Sequence, residues 1–94
     1  MGTIKYYTMS GEKLEVGKVA HYYPKISVAV VALTAPLNIG DKILIKGKTT
    51  YIEQAVESMQ IEKVNIQKAE AGQSIGLKVN GRVKEGDIVY KIVQ

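Results

Sequence analysis

The chain has 94 residues, of which 46% are apolar and 23% charged, which is typical of one folded domain with a small core rather than of a disordered segment. It has no cysteine, which excludes disulfides, thiolate metal ligands and cysteine nucleophiles, and its longest apolar run, Val28–Leu33, is too short to span a bilayer, so we expect a cytoplasmic protein. The net charge of +4 arises in residues 1–52, which hold seven lysines and three acids; such a basic half can attract phosphate backbones, although this charge is also ordinary for a small domain.

Short segments rich in β-branched and aliphatic residues, separated by Gly, Pro and Asn, predict strands along the whole chain. In chain order these strands cover residues 4–8, 14–23, 26–33, 42–46, 51–61, 74–79 and 88–93. We treat residues 1–13 as a lead-in and residues 14–93 as a barrel, together forming a single domain.

Some segments have patterns that predict more than a strand. Residues 28–33 are continuously apolar, which is typical of a strand covered on both faces or crossing a closed barrel. In the fifth strand Val56 and Met59 have opposite parity, which predicts a bulge or a bend. Residues 62–71 are predicted to be a loop, and Asn80-Gly81 a tight turn.

The same short pattern, a glycine followed by Asp or Gln, comes before three of the strands. Its copies are Gly40-Asp41, Gly72-Gln73 and Gly86-Asp87. Glycine adopts a positive φ without steric cost, and a neighbouring polar side chain can hydrogen-bond the local backbone. Since no long window has a helical apolar period, the chain is predicted to be all-β, a closed antiparallel β-barrel of six or seven strands whose closure protects the strand edges.

No residue set predicts catalysis, a metal site or a cofactor. Residues 47–50, Gly-Lys-Thr-Thr, resemble the end of a phosphate-binding loop, but the required glycine five positions earlier is a lysine and strands flank the segment. His21 is the only histidine and has no second ligand or catalytic partner at a useful spacing. Glu53, Glu57 and Glu62 are more simply explained as exposed acids on or near one strand.

One cluster is suited to binding another molecule. His21-Tyr22-Tyr23-Pro24-Lys25 places aromatic rings beside a cation, and Lys18 precedes it on the same strand. Such a combination can stack on bases and neutralise phosphates. The alternative is that one tyrosine packs inward and the other covers the barrel rim, since neighbouring residues of a strand point to opposite faces.

Five phrases of the sequence, taken together, resemble the second domain of the translational GTPases elongation factor Tu, elongation factor 1-alpha and initiation factor 2. They are, in order, Val16-Gly17-Lys18-Val19, Leu37-Asn38-Ile39-Gly40-Asp41, Val56-Glu57-Ser58-Met59-Gln60-Ile61, Ala69-Glu70-Ala71-Gly72-Gln73-Ser74-Ile75-Gly76 and Glu85-Gly86-Asp87-Ile88-Val89. Their order and spacing agree with that family over most of the chain.

The resemblance implies a closed β-barrel of about six strands. In elongation factor Tu this domain helps to hold the aminoacyl end of tRNA, and the analogous region here includes Lys18 and residues 56–61. Lys18 replaces an arginine of the family pattern, and Gln60 replaces a glutamate. No GTP-binding motif is present, so the resemblance implies no GTPase activity. Similar barrels also occur at the C-terminal end of some collagenase-like peptidases.

These observations predict a non-catalytic, elongation-factor-like domain that contacts tRNA or ribosomal RNA. The alternative is a protein-interaction module that docks onto a separately encoded enzyme or associates with itself. Neither function requires a cofactor, metal, nucleotide or membrane, and an enzyme ranks third. The residues predicted to contact RNA or a protein partner are Lys18, His21, Tyr22, Tyr23, Lys25 and Gln60.

Overall fold

A computed structural model describes residues 5–8 and 11–93, which form an all-β fold of antiparallel strands. The described residues contain no helix with the length and hydropathy needed to cross a bilayer. The strands are β1 (Lys5–Thr8), β2 (Gly11–Tyr23), β3 (Val28–Leu33), β4 (Leu37–Asn38), β5 (Lys42–Lys46), β6 (Tyr51–Ala55), β7 (Met59–Ile61), β8 (Val64–Ile66), β9 (Lys68–Ala69), β10 (Ser74–Lys78) and β11 (Ile88–Val93).

Strand β2 is the centre of the main sheet. The strand order is β6-β5-β11-β2-β3-β10-β7-β8, with β1 pairing the start of β2, while β4 and β9 form a separate two-stranded sheet. β2 pairs β11 through its first half and β3 through its second half, and the register shifts at Val16 and at Ala20. These two bulges bend a 13-residue strand so that each half joins a different neighbour.

The inner face of the sheet forms one core of aliphatic side chains. β3 contributes alternate residues to it, as expected for antiparallel strands with one solvated face. At the centre of this core are the fully buried side chains of Val19, Val31, Leu37, Ile43, Ile45, Met59, Ile75 and Leu77.

The prediction of a closed barrel is wrong, because the hydrogen-bonded strands form an open sheet with β6 at one end and β8 at the other. The predicted strand over residues 51–61 is interrupted between Ala55 and Met59, which is where the change of parity predicted a bend. β6 pairs β5, whereas β7 pairs β10 and β8. Val56 instead bonds to the turn at Gly40, so β6 cannot continue into β7.

Two other segments differ from expectation. The predicted loop over residues 62–71 contains β8 and β9, and the two-residue turn before β8 has positive φ at Glu62 and Lys63 (50° and 68°). Two-residue hairpin turns favour Asn and Gly, so Glu62-Lys63 does not predict this hairpin. Asn80-Gly81 forms a bend rather than a hairpin, because β10 and β11 are not neighbours in the sheet.

The remaining predicted strands are close to those found. β5 and β11 have the predicted bounds, β3 and β10 differ by one or two residues, and β2 begins at Gly11 within the predicted lead-in. β1 covers residues 5–8, while residue 4 of that predicted strand lies outside the described residues.

The three glycine turns predicted from the sequence share one geometry. In the first, Asp41 N–H donates to the Asn38 carbonyl (3.1 Å), Asn38 N–H donates to Asp41 Oδ2 (2.8 Å), and Gly40 has φ 93°. Gly40 N–H then donates to the Val56 carbonyl (2.9 Å), and Val56 N–H donates to the Asp41 carbonyl (2.8 Å). The corresponding residues are Glu70, Gly72, Gln73 and Leu33 in the second turn and Lys84, Gly86, Asp87 and Val19 in the third.

Each turn is therefore fastened to one buried aliphatic residue by a pair of backbone hydrogen bonds. The positive φ of the glycine fits the third position of a type II turn, where other residues are strained. The predicted role of the three glycines is confirmed, since φ is 93°, 91° and 92°.

The Gln54 side chain bridges β6 to the segment after β10. Its Nε2 donates to the Lys78 carbonyl (2.9 Å), and its Oε1 accepts from Asn80 N–H (2.7 Å). Gln54 is only 5% exposed, so its amide satisfies its own hydrogen-bonding groups through these two backbone partners. The Gln54 side chain thus connects β6 with the end of β10, two strands that are not paired in the sheet.

Replacing Gly86 by alanine is expected to lower the free energy of unfolding by about 1–3 kcal/mol, because alanine is strained at a φ of 92°. Urea denaturation followed by circular dichroism measures this. Gly76→Ala is the matched control, because φ is not positive there and the added methyl makes only an ordinary contact, 3.4 Å from Val28 Cγ1. Equal losses for the two variants would contradict the assigned role of the turn.

Replacing Gln54 by alanine is expected to cost about 1–3 kcal/mol, because it removes two partly buried hydrogen bonds together with most of a buried side chain. Gln67→Ala removes the same kind of side chain from an exposed position and should change stability by less than about 0.5 kcal/mol. The two midpoints are compared by thermal and urea unfolding. An unchanged midpoint for the Gln54 variant would show that the bridge contributes nothing.

Candidate interaction surface

The solvent side of β2, β3, β10 and β7, which we call the outer face, brings together four of the six predicted contact residues. Lys18, His21 and Tyr23 lie on β2, and Gln60 lies on β7. All four are exposed, while Val19 on β2 and Met59 on β7, which point to the other side of the sheet, are buried in the core.

The register places the outer face in three rows that run across the strands. Because neighbouring strands are about 4.8 Å apart, Gln60 lies three strands and about 14 Å from His21. The rows are Lys18–Ala32–Ser74, His21–Val30–Gly76–Gln60 and Tyr23–Val28–Lys78.

The centre of the outer face consists of small residues without polar side-chain groups. Val28, Val30 and Ala32 follow one another along β3, with Gly76 beside Val30 on β10. Val28 and Val30 are half-buried and Ala32 is exposed. Their neighbours on the opposite side of β3 are 0–3% exposed. The apolar run predicted either a strand covered on both faces or one crossing a closed barrel, and β3 instead has one buried face within an open sheet.

Polar and aromatic groups surround this centre. The His21 and Tyr23 rings meet edge to face with centroids 4.4 Å apart, and His21 Nδ1 lies 3.2 Å from Glu85 Oε2. Gln60 Nε2 donates to Asn65 Oδ1 (2.9 Å) on β8. These contacts hold the two ends of the middle row in place.

The other two predicted contact residues lie elsewhere. Tyr22 points inward and packs against the core. This agrees with the alternative interpretation of the tyrosine pair, in which one ring packs inward because neighbouring strand residues point to opposite faces. Lys25 lies at the tip of the β2–β3 hairpin, beside Ile26, which is 60% exposed. A depression of about 310 Å³ at this tip is lined by Tyr23, Pro24, Lys25 and Ile26.

The described residues hold no obvious centre for chemistry. No group of three or more His, Asp or Glu side chains within residues 5–8 and 11–93 converges to hold a metal ion. Residues 47–50 form the β5–β6 turn, with Gly47 N–H donating to the Thr50 carbonyl (2.9 Å), and a strand follows rather than a helix. The adjoining depression of about 350 Å³ contains Lys48 and Lys84 together with Glu85 and Asp87, so its charges are mixed.

Sequence reasoning missed the apolar centre of the outer face. The apolar run of residues 28–33 is a signal for it, but that run predicts a strand covered on both faces or one crossing a closed barrel. Lys78 was missed because its position beside Val28 follows only from the pairing of β10 with β3.

Comparisons with known proteins place the same segment in proteases. The chain is 48% identical over 79 residues to an uncharacterized protease of Methanocaldococcus jannaschii, covering 83% of this chain and 19% of that protein. It is 37% identical over 82 residues to a collagenase of Porphyromonas gingivalis, covering 85% of this chain and 20% of that protein. The chain thus spans about a fifth of the length of the curated relatives it matches. No family model matches it.

Solved structures show the same fold in the C-terminal domain of another protein. The C-terminal domain of a Geobacillus thermoleovorans protein assigned as a U32 peptidase superimposes with a TM-score of 0.76 at 22% identity, covering 81% of this chain and 89% of that domain. The selenomethionine variant of that domain gives a TM-score of 0.75 at 20% identity, covering 80% of this chain and 95% of that domain. At these identities the likeness establishes the fold.

The predicted membership of the translation factors is therefore wrong, and so is the translation-related, RNA-binding function that it implied. The related sequences are named as a protease and as collagenases, and the matching solved domain comes from a protein assigned as a peptidase. The phrases that suggested translation factors describe turns and buried strand residues, which belong to the scaffold and do not specify a function.

Replacing Tyr22 by alanine is expected to lower the free energy of unfolding by about 2–3 kcal/mol, because its ring packs against the core. Tyr23→Ala, which removes a ring that is 48% exposed, should cost less than about 1 kcal/mol. Urea denaturation of both variants measures the difference. The opposite ranking would show that the two tyrosines are assigned to the wrong faces.

Proposed function

We propose that this chain is a non-catalytic domain that serves a peptidase by docking against the remainder of that enzyme. The observation that carries the proposal is the way the similarity is distributed. The protease and collagenase relatives share 83–85% of this chain, yet the shared segment is only about a fifth of each of them. The same unit thus accompanies a remainder about four times its size.

The residues of the domain are consistent with a binding role. Peptide hydrolysis requires an activated nucleophile or a metal-bound water, together with groups that stabilise the developing charge. The His21 ring pairs with the exposed carboxylate of Glu85, 3.2 Å away, rather than with a nucleophile. Glu53 lies on β6 and Glu57 beyond its end. The outer face, by contrast, combines an apolar centre with polar surroundings, as in many protein interfaces.

We expect the isolated chain to release no peptides from fluorescently labelled gelatin or casein beyond the buffer rate. The P. gingivalis collagenase is the positive control, since its name states the activity. Hydrolysis that co-elutes with the folded chain through two chromatography steps would show that the domain is itself an enzyme.

Docking is tested in a full-length protein. The 79-residue segment of the M. jannaschii protease is replaced by the matching part of this chain, and the radius of gyration is measured by small-angle X-ray scattering. We expect the value of the natural protease, because a docked domain stays compact with the remainder. A larger radius, with a domain that melts on its own, would contradict the proposal.

A further inference from the structure

We infer that the outer face is the surface that docks on the remainder of the peptidase, and that it receives an apolar patch edged by carboxylates. This inference rests on the proposed function and adds the surface and the chemistry of its partner. It is carried by three observations, namely the apolar side of β3, the glycine on β10 and the charges at the edges of the face.

The first observation is that β3 is apolar on its solvent side. Antiparallel strands with one solvated face usually alternate apolar and polar residues. Here Val28, Val30 and Ala32 continue the apolar run outward, although the core already holds Ala29, Val31 and Leu33. The outward side chains add little to the core of this chain, so contact with another surface is the better explanation for them.

The second observation is that Gly76 is not required by the fold. Its φ is not positive, and an added Cβ would make only ordinary contacts, 3.4 Å from Val28 Cγ1 and 3.8 Å from the Gln60 carbonyl oxygen. Glycine inside a strand costs about 0.5–1 kcal/mol relative to alanine. Because Gly76 has no side chain, the place beside Val30 that a side chain would occupy, called the hollow, is left for a side chain of the partner.

The third observation is the charge of the rim. Lys18 and Lys78 lie in the first and third rows of the outer face, while none of the residues in its three rows is an acid. The nearby acid Glu85 already contacts His21. A complementary partner therefore carries carboxylates around an apolar centre. Two copies of this domain meeting through this face would bring like charges together, which disfavours self-association.

The test uses the chimeric M. jannaschii protease described above, with substitutions in the domain. Val30→Glu introduces a charge at the apolar centre, and Gly76→Leu fills the hollow without adding charge. We expect both to abolish docking, seen as a larger radius of gyration and a separate melting transition for the domain. Tyr51→Glu is the matched control, because Tyr51 is 62% exposed on β6 at one end of the strand order, and it should leave docking unchanged.

The predicted partner chemistry has its own variant. Reversing both lysines, as Lys18→Glu with Lys78→Glu, should also release the domain, and docking of the parent chimera should weaken between 0.1 and 0.5 M NaCl because salt screens exposed charges. Docking that is insensitive to the double reversal would overturn the carboxylate-edged partner. Circular dichroism and urea unfolding of each isolated domain variant confirm that the fold is retained.

The outcomes separate the two proposals. If the parent chimera is expanded, the proposed function fails before any surface is tested. If the parent is compact and the variants of the outer face stay compact, the surface assignment fails while the proposed function survives. If the isolated chain sediments as a dimer that Val30→Glu dissociates, the outer face binds a second copy and the inference is overturned.

Discussion

The fold depends on one backbone constraint, a glycine with positive φ that lets a tight turn bond to a buried aliphatic residue. At Gly40, Gly72 and Gly86 the glycine N–H and the carbonyl of the next residue point the same way. Together they form two hydrogen bonds with the backbone of one buried residue, which is Val56, Leu33 and Val19 for the three turns in that order. An L side chain at the glycine would strain that conformation, so both hydrogen bonds depend on its absence. The polar residue after each glycine completes the turn by accepting a backbone N–H.

These bridges also explain why the sheet is open. Val56 is used by the first turn, so the chain leaves the sheet after β6 and re-enters as β7 beside β10. The amide of Gln54 then hydrogen-bonds the backbone at Lys78 and Asn80, because β6 pairs with β5 and not with β10. The bulges of β2 turn its second half toward β3, and the outer face is built from that half and the strands that follow.

Local chemistry made some of the structure predictable. β5 and β11 were predicted with their observed bounds, because a glycine turn and alternating or continuous apolar residues mark each of them. β8 was missed because its turn uses Glu62 and Lys63 in conformations that neither residue prefers. In the candidate site, individual contact residues such as His21 and Tyr23 could be predicted from the sequence. That they share one surface with Gln60 could not, because it follows from the pairing of four strands.

The sequence by itself determined the all-β class, the three glycine turns and the absence of thiol chemistry, since each follows from the properties of residues close together in the chain. The tertiary structure alone decided that the barrel ladder stays open, that Tyr22 faces the core while Tyr23 faces solvent, and that Lys18, Val30, Gly76 and Gln60 share one surface. Those outcomes depend on strand order and register, which are set by burying apolar side chains from segments far apart in the chain in one core.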